Sequence, residues 1–156
     1  MSLTKNITEQ LQQAPPDQAA EIRASDGNLR LELKLADWGR LGCLLARFDM
    51  EHTQKGRLRI DPVRISEKIS YLEERLEIIE NEGREGRTIL RSAPPRVDGD
   101  VIRYFEIVLD GSTRLSLVRY RYDHQTEERT PDPAPLARDT LERLVDDLIT
   151  MAQEAR

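Results

Sequence analysis

Leu29, Leu31, Leu33 and Leu35 alternate with Arg30, Glu32 and Lys34, a period of two that puts the leucines on one face of a β-strand and leaves the other face wet. Asp37-Trp38-Gly39-Arg40 then supplies turn residues. Leu41 to Met50 alternates again, with Gly42, Leu44, Ala46, Phe48 and Met50 on one side. The two segments predict a β-hairpin. A second hairpin is predicted by Val101 to Leu109 and Arg114 to Tyr122, rich in β-branched, aromatic and leucine residues and joined through Asp110-Gly111-Ser112. Setting Phe105 opposite Leu117 and Ile107 opposite Leu115 pairs apolar side chains across it and implies a three-residue connection.

Between the hairpins the period changes. Asp61-Pro62 reads as N-cap and first helical residue, and Ile65, Ile69, Leu72 and Leu76 recur at helical spacing. Gly56 to Ile60 is compatible with a short preceding strand. Residues 76–83 allow two readings. Continuing the helix would set Glu80 and Glu82 against the negative end of its dipole. Ending it near Arg75 instead starts a strand at Leu76, which turns through Glu82-Gly83-Arg84-Glu85-Gly86 into a partner over Arg87 to Ser92. The hairpin is preferred. Gln125 to Ala134 is polar, carries Pro131 and Pro133, and predicts an extended surface loop. After Pro135, Leu141, Leu144, Val145, Leu148, Met151 and Ala155 form the apolar stripe of a long closing helix.

The first 24 residues read as weak helix broken by Pro15-Pro16. Thr4 is placed to cap a turn holding Ile7 and Leu11, with a second short helical segment over Asp17 to Ala24. The expected organisation is a loosely helical arm over residues 1–25 and a single α+β domain over residues 26–156. Its antiparallel, meander-rich sheet of about six strands is packed by the C-terminal helix, with an additional helix after the first hairpin.

A length of 156 residues suits one core. The single cysteine, Cys43, allows neither an intrachain disulfide nor a cysteine-based zinc site, and its apolar setting suits a small hydrophobe. The polar run Asn6 to Ala14 has no apolar centre for a leader, and no stretch reaches the roughly 18 apolar residues of a membrane span. A cytoplasmic protein without a membrane partner is expected. Net charge is −5 with 34% of residues charged and both signs interleaved, which disfavours nucleic acid as a partner. Only Lys5, Lys34, Lys55 and Lys68 among 24 basic residues are lysines, so most cations are planar, bidentate donors.

Candidate chemistry is sparse. In the register above Arg103 sits opposite Arg119, with Arg121 further along the same face. Like charges facing one another call for an anion, either a bound carboxylate or acidic residues of the last helix such as Asp146 and Asp147. His52 and His124 lie near strand ends beside carboxylates, too few and too scattered for a metal site. No phosphate loop, nucleophile elbow or helical zinc motif occurs, so the reading leans away from an enzyme, with no cofactor and no metal implied. Trp38, in a predicted turn, either folds back or meets a partner. Tyr104, Tyr120 and Tyr122 share a strand face with Ile102 and Val118. An apolar second face needs a cover, from the N-terminal arm or a twofold copy. These features favour a non-catalytic interaction or scaffold protein acting as a homo-oligomer. The alternative is a carboxylate or anion carrier with a pocket between sheet and last helix, and after it an enzyme lacking a local motif.

Overall fold

A computed structural model describes residues 2–83 and 86–154. The chain is α+β, with one large antiparallel sheet and three helices among the described residues. Their order is α1 (Leu3–Gln13), β1 (Gln18–Asp26), β2 (Leu29–Trp38), β3 (Gly42–His52), α2 (Pro62–Lys68), β4 (Arg75–Asn81), β5 (Arg87–Ala93), β6 (Arg96–Asp98), β7 (Val101–Asp110), β8 (Arg114–Asp123), β9 (Glu128–Pro131), β10 (Ala134–Ala137) and α3 (Arg138–Glu154). The main strand order is β1-β2-β3-β8-β7-β5-β4. β3 and β8 pair only over Phe48–Glu51 and Arg114–Leu117. Beyond that stretch β9 pairs with the far half of β8 and β10 with the near half of β3. The segment 128–137 thus occupies the gap where two central strands part company.

One face of the sheet carries the core. Leu31, Leu33 and Leu35 of β2, Phe48 and Met50 of β3, Leu115 and Leu117 of β8 and Ile107 of β7 meet Leu141, Leu144, Leu148 and Ile149 of α3, all buried. Packed apolar side chains of this kind are the main stabilising term. α1 joins the same core through Leu3, Ile7 and Leu11, spaced four apart on one helical face. The space between sheet and α3, where a ligand pocket was the alternative expectation, is occupied by these side chains.

Both long predicted hairpins and the hairpin alternative for residues 76–83 are present, and the sheet has ten strands rather than about six. Arg84 and Glu85 of the turn between β4 and β5, and Ala155 of the closing helix's stripe, lie outside the described residues. Several expectations are corrected. Asp17 to Ala24 is no helix: Gln18–Asp26 is β1, paired with β2 along its length. Its alanines and glutamate are good helix formers, but intrinsic propensity is worth only tenths of a kcal/mol per residue and pairing with β2 overrides it. α1 is capped by Ser2, whose side chain accepts the Lys5 N–H at 3.2 Å, and not by Thr4. α2 ends at Lys68, so Ile69 and Leu72 are buried from an irregular segment. Gly56 to Ile60 forms no strand, although Leu58 and Ile60 are buried. The expected loop at Gln125 to Ala134 contains β9 and leads into β10.

Two corrections concern side-chain direction. In β3 the register shifts between Lys34–Arg47 and Leu35–Leu45. This bulge reverses the alternation, so Cys43 and Leu45 face the core while Leu44 points outward. In the β7–β8 hairpin Phe105 faces Arg119, Ile107 faces Leu117 and Leu109 faces Leu115. That is two residues from the expected register. The connection is Gly111-Ser112-Thr113, with Gly111 at φ +59° and Asp110 opposite Arg114. Glycine tolerates this left-handed position, and the turn closes on opposite charges. A shift of two preserves the faces but changes the partners.

Candidate functional site

On β8 the helix-side row reads Leu115, Leu117, Arg119, Arg121, so aliphatic side chains give way to guanidinium groups halfway along one strand. Arg103 of β7 lies opposite Arg121, and Phe105 lies opposite Arg119. The structure therefore brings the three expected arginines together, with Arg121, not Arg119, across from Arg103. The acids that serve them are not those expected. Arg103 binds Asp98 at 2.7 Å and Asp132 at 3.0 Å, and Arg96 binds Asp98 at 3.5 Å. Asp146 instead accepts from the Thr4 hydroxyl at 3.0 Å. Asp147 accepts from the Tyr71 hydroxyl at 2.7 Å, and together with burial this pushes the phenol far above its ordinary range.

Arg119 is unlike its neighbours. It is only 6% exposed, its guanidinium lies 5.7 Å from the Phe105 ring centre, and it forms no ion pair or side-chain hydrogen bond among the described residues. Glu74 is the acid whose charge it feels. Burial and the adjacent Glu73 hold the Glu74 carboxyl above its ordinary range, although Arg119 and Arg96 pull it down.

Among the described residues no helix lies over the opposite face of the sheet. Its centre is Glu106 of β7, 3% exposed, which receives Arg91 of β5 through Nε at 3.1 Å and Nη2 at 2.9 Å on one oxygen. Arg129 of β9 donates to the other oxygen at 3.1 Å. The same two guanidinium groups lie over tyrosines: Arg129 is 3.6 Å from the Tyr120 ring centre and Arg91 is 4.9 Å from that of Tyr104. Tyr104 and Tyr120 are opposite one another, with ring centres 6.1 Å apart. Charge and ring quadrupole attract, and the arginine stems cover apolar surface. This accounts for the burial of Tyr104 and Val118 without a second protein layer, and it takes away the bare tyrosine surface on which the expected twofold contact stood. Tyr122, half-buried, meets His124 edge-on at 4.9 Å.

A second charged cluster adjoins it. Asp49 of β3 accepts from Arg47 at 2.6 Å and from the Ser116 hydroxyl at 2.7 Å, with Arg114 at 3.4 Å. Burial alone would raise its carboxyl; these donors outweigh burial and lower it. A shallow cavity of about 220 Å³ lies between the clusters, lined among others by Arg47, Arg87, Arg114 and Arg129.

The remaining candidates do not assemble into chemistry. Trp38 is the last residue of β2, 2% exposed, with Arg138 stacked 4.0 Å from its ring centre; Arg138 also donates to the Gly39 carbonyl at 2.7 Å. It folds back, and offers no ring to a partner. His52 is buried, its Nδ1 accepting the Gln54 N–H at 3.1 Å. Its backbone N–H meets the Thr113 carbonyl, whereas His124 lies past the other end of β8, roughly 35 Å away at the rise of a strand. Among the described residues no group of three or more His, Cys, Asp or Glu side chains is placed to hold a metal ion, and no helix is long and apolar enough to cross a membrane. Burial pushes the Cys43 thiol up to about 11, far from a reactive thiolate.

Sequence reasoning reached the three helix-side arginines and the tyrosines but missed Arg91, Glu106 and Arg129. The one local signal was Glu106 itself, a lone acid inside the apolar run Tyr104-Phe105-Glu106-Ile107-Val108. No family model matches the chain, and neither a curated protein nor a solved structure is significantly similar to it.

Proposed function

We propose that the protein is a non-catalytic interaction protein that works as a homodimer in the cytoplasm. The observation that supports this is an apolar patch where α2 meets the edge strand β4. Val63, Ile78 and Ile79 are all exposed there, Ile79 to 49%. The two elements are joined by the Ser66 hydroxyl, which donates to the Leu76 carbonyl at 2.6 Å. Exposed apolar groups gathered at a sheet edge mark a contact surface more often than scattered ones do.

Charge favours a second copy as the occupant. Lys68 on the α2 side, and Glu77 and Glu80 on the β4 side, form no ion pair among the described residues. A twofold axis through the patch sets the basic side of one copy against the acidic side of the other, twice over. Direct strand-to-strand addition is disfavoured. Any in-register twofold pairing of β4 with itself, allowing for its bulge after Ile78, brings glutamates opposite one another. The packing is therefore side on, helix against strand. The single cysteine supports a reducing compartment.

Light scattering on the eluting full-length protein at micromolar concentration is expected to give twice the chain mass, and the Ile78→Lys, Ile79→Lys double variant the single-chain mass with unchanged circular dichroism. A wild-type protein that is monomeric under these conditions removes the reading.

A further inference from the structure

A guanidinium group withdrawn from water without an anion beside it is unfavourable, since burial of an unpaired charge costs several kcal/mol even after local relaxation. Arg119 comes close to that state, since it has no ion pair among the described residues and Glu74 acts on it only from beyond 4.0 Å. Its setting is permanent, in the middle of β8, with its own carbonyl accepting the Asp132 N–H at 2.8 Å. The side chain has no route to the open face. Yet its nitrogens are not sealed in. No fully buried side-chain nitrogen or oxygen lacks a hydrogen-bond partner among the described residues. The Arg119 nitrogens, which have no partner, therefore each keep some contact with solvent.

Arg121 follows two residues later on the same face, about 7 Å along the strand. It is half-buried and also forms no ion pair among the described residues. Arg103, across from it, is already held by Asp98 and Asp132. That leaves two adjacent forks unsatisfied beside one that is saturated. Glu74 does not fill the gap. Its carboxyl makes no ion pair within 4.0 Å among the described residues, and burial and Glu73 outweigh the pull that Arg119 and Arg96 exert on it from farther away.

We propose that Arg119 and Arg121 form a binding site for a phosphate-type oxyanion, either free phosphate or the phosphate of a small phosphomonoester. The charge to be matched selects this class. A single carboxylate can bridge two guanidinium groups, as Glu106 does, but brings one negative charge to two cations. A phosphate brings up to two charges and further oxygens for forks approaching from adjacent positions. The Phe105 ring backs the Arg119 guanidinium and fixes its plane. The site lies on the helix side of β8, uses none of the patch residues Val63, Ile78 and Ile79, and stands or falls independently of dimer formation.

The test is thermal unfolding of the full-length protein, followed by Trp38 fluorescence and circular dichroism, in sodium phosphate, glycerol phosphate, sodium acetate and sodium chloride at equal ionic strength and pH 7. A ligand of the native state raises the midpoint in proportion to the logarithm of its concentration once above its dissociation constant. Phosphate is expected to do so and acetate and chloride are not. A response to glycerol phosphate equal to or larger than that to phosphate assigns the site to a phosphomonoester; a response to phosphate alone assigns it to the free ion. Arg121→Gln is expected to demand about tenfold more ligand for the same rise. Arg119→Met is expected to lose the response while matching or exceeding the wild-type midpoint in phosphate-free buffer. Equal responses to all four salts overturn the proposal. So does a phosphate response that survives in Arg119→Met, or an Arg119→Met midpoint below wild type without phosphate, because the last shows that the guanidinium already has an internal partner.

Discussion

Glu106 and Arg119 stand on neighbouring strands of one sheet, each withdrawn from water to within a few percent, and they are treated in opposite ways. Glu106 faces the open side, where Arg91 and Arg129 reach across from β5 and β9 to occupy both its oxygens. Arg119 faces the helix side, where its cross-strand neighbour is Phe105 and the next residue on its row is another arginine. Both charges are as buried as core leucines; only one is neutralised. A sheet neutralises a buried charge when cross-strand neighbours on the same face carry the opposite sign. The open face meets that condition repeatedly, as in Arg30 beside Glu51 and Arg114 opposite Asp110. On the helix side, built mostly for leucine, the acid across from Arg119 is Asp132, and its carboxylate binds Arg103 instead.

The sharpest way to break this contrast is to remove the satisfied charge. Glu106→Gln leaves Arg91 and Arg129 facing each other over a neutral amide. Because both arginines keep about a third of their side-chain surface in water, the loss is expected near ~3 kcal/mol, the low end for breaking a buried pair. It is read as a lower urea midpoint with unchanged slope. Arg129→Gln removes one of the two donors and the stacking on Tyr120, and is expected to cost ~1.5 kcal/mol. A cost equal to that of Glu106→Gln would show that Arg91 contributes nothing by itself.

Asp49 extends the comparison to pH. Its carboxyl is held below the ordinary range in the folded protein. The stability this supplies is therefore complete above the carboxylate value of the unfolded chain and is lost as pH falls through the lower folded value. Asp49→Asn is expected to be ~1 kcal/mol less stable at pH 7. The gap to wild type should narrow on acidification, and a gap that stays constant to pH 3 argues against the linkage. The smallest effect belongs to the unsatisfied charge. In phosphate-free buffer Arg119→Met should leave stability unchanged or raise it by up to ~1 kcal/mol, since similar volume replaces an unpaired cation. A substantial loss would erase the difference between the two residues.

How much of this was legible in the chain varies from element to element. The alternation of Leu29 to Leu35 specified β2 and its buried face without reference to anything else. The heptad-like spacing of Leu141, Leu144, Val145 and Leu148 did the same for α3. The anionic helix terminus at Glu80 and Glu82 was enough to prefer a strand over residues 76–81. By contrast Gln18-Ala19-Ala20-Glu21 has no strand character of its own and becomes β1 by pairing with β2. Pro131 marked a loop by its chemistry and Pro135 the approach to the closing helix, yet each stands in a short strand beside a partner, Tyr120 and Leu44. The Tyr104, Tyr120 and Arg119 candidates were found from strand periodicity, but their neighbours were assigned wrongly or not at all.

What the sequence determined by itself was local: which segments alternate, which carry a helical stripe, which face of each strand is apolar, and that the fold is α+β around an antiparallel sheet. These depend on residues a few positions apart, whose relation is set by backbone geometry. Tertiary structure decided the partners: a register two residues from the expected one in the β7–β8 hairpin, the bulge in β3, the wedge of β9 and β10 between β3 and β8, and hence the acids that reach each arginine. Glu106 meets Arg129 across 23 residues of chain and Ser116 meets Asp49 across 67. Contacts of that span are chosen by the packing of the whole sheet, and no local period encodes them.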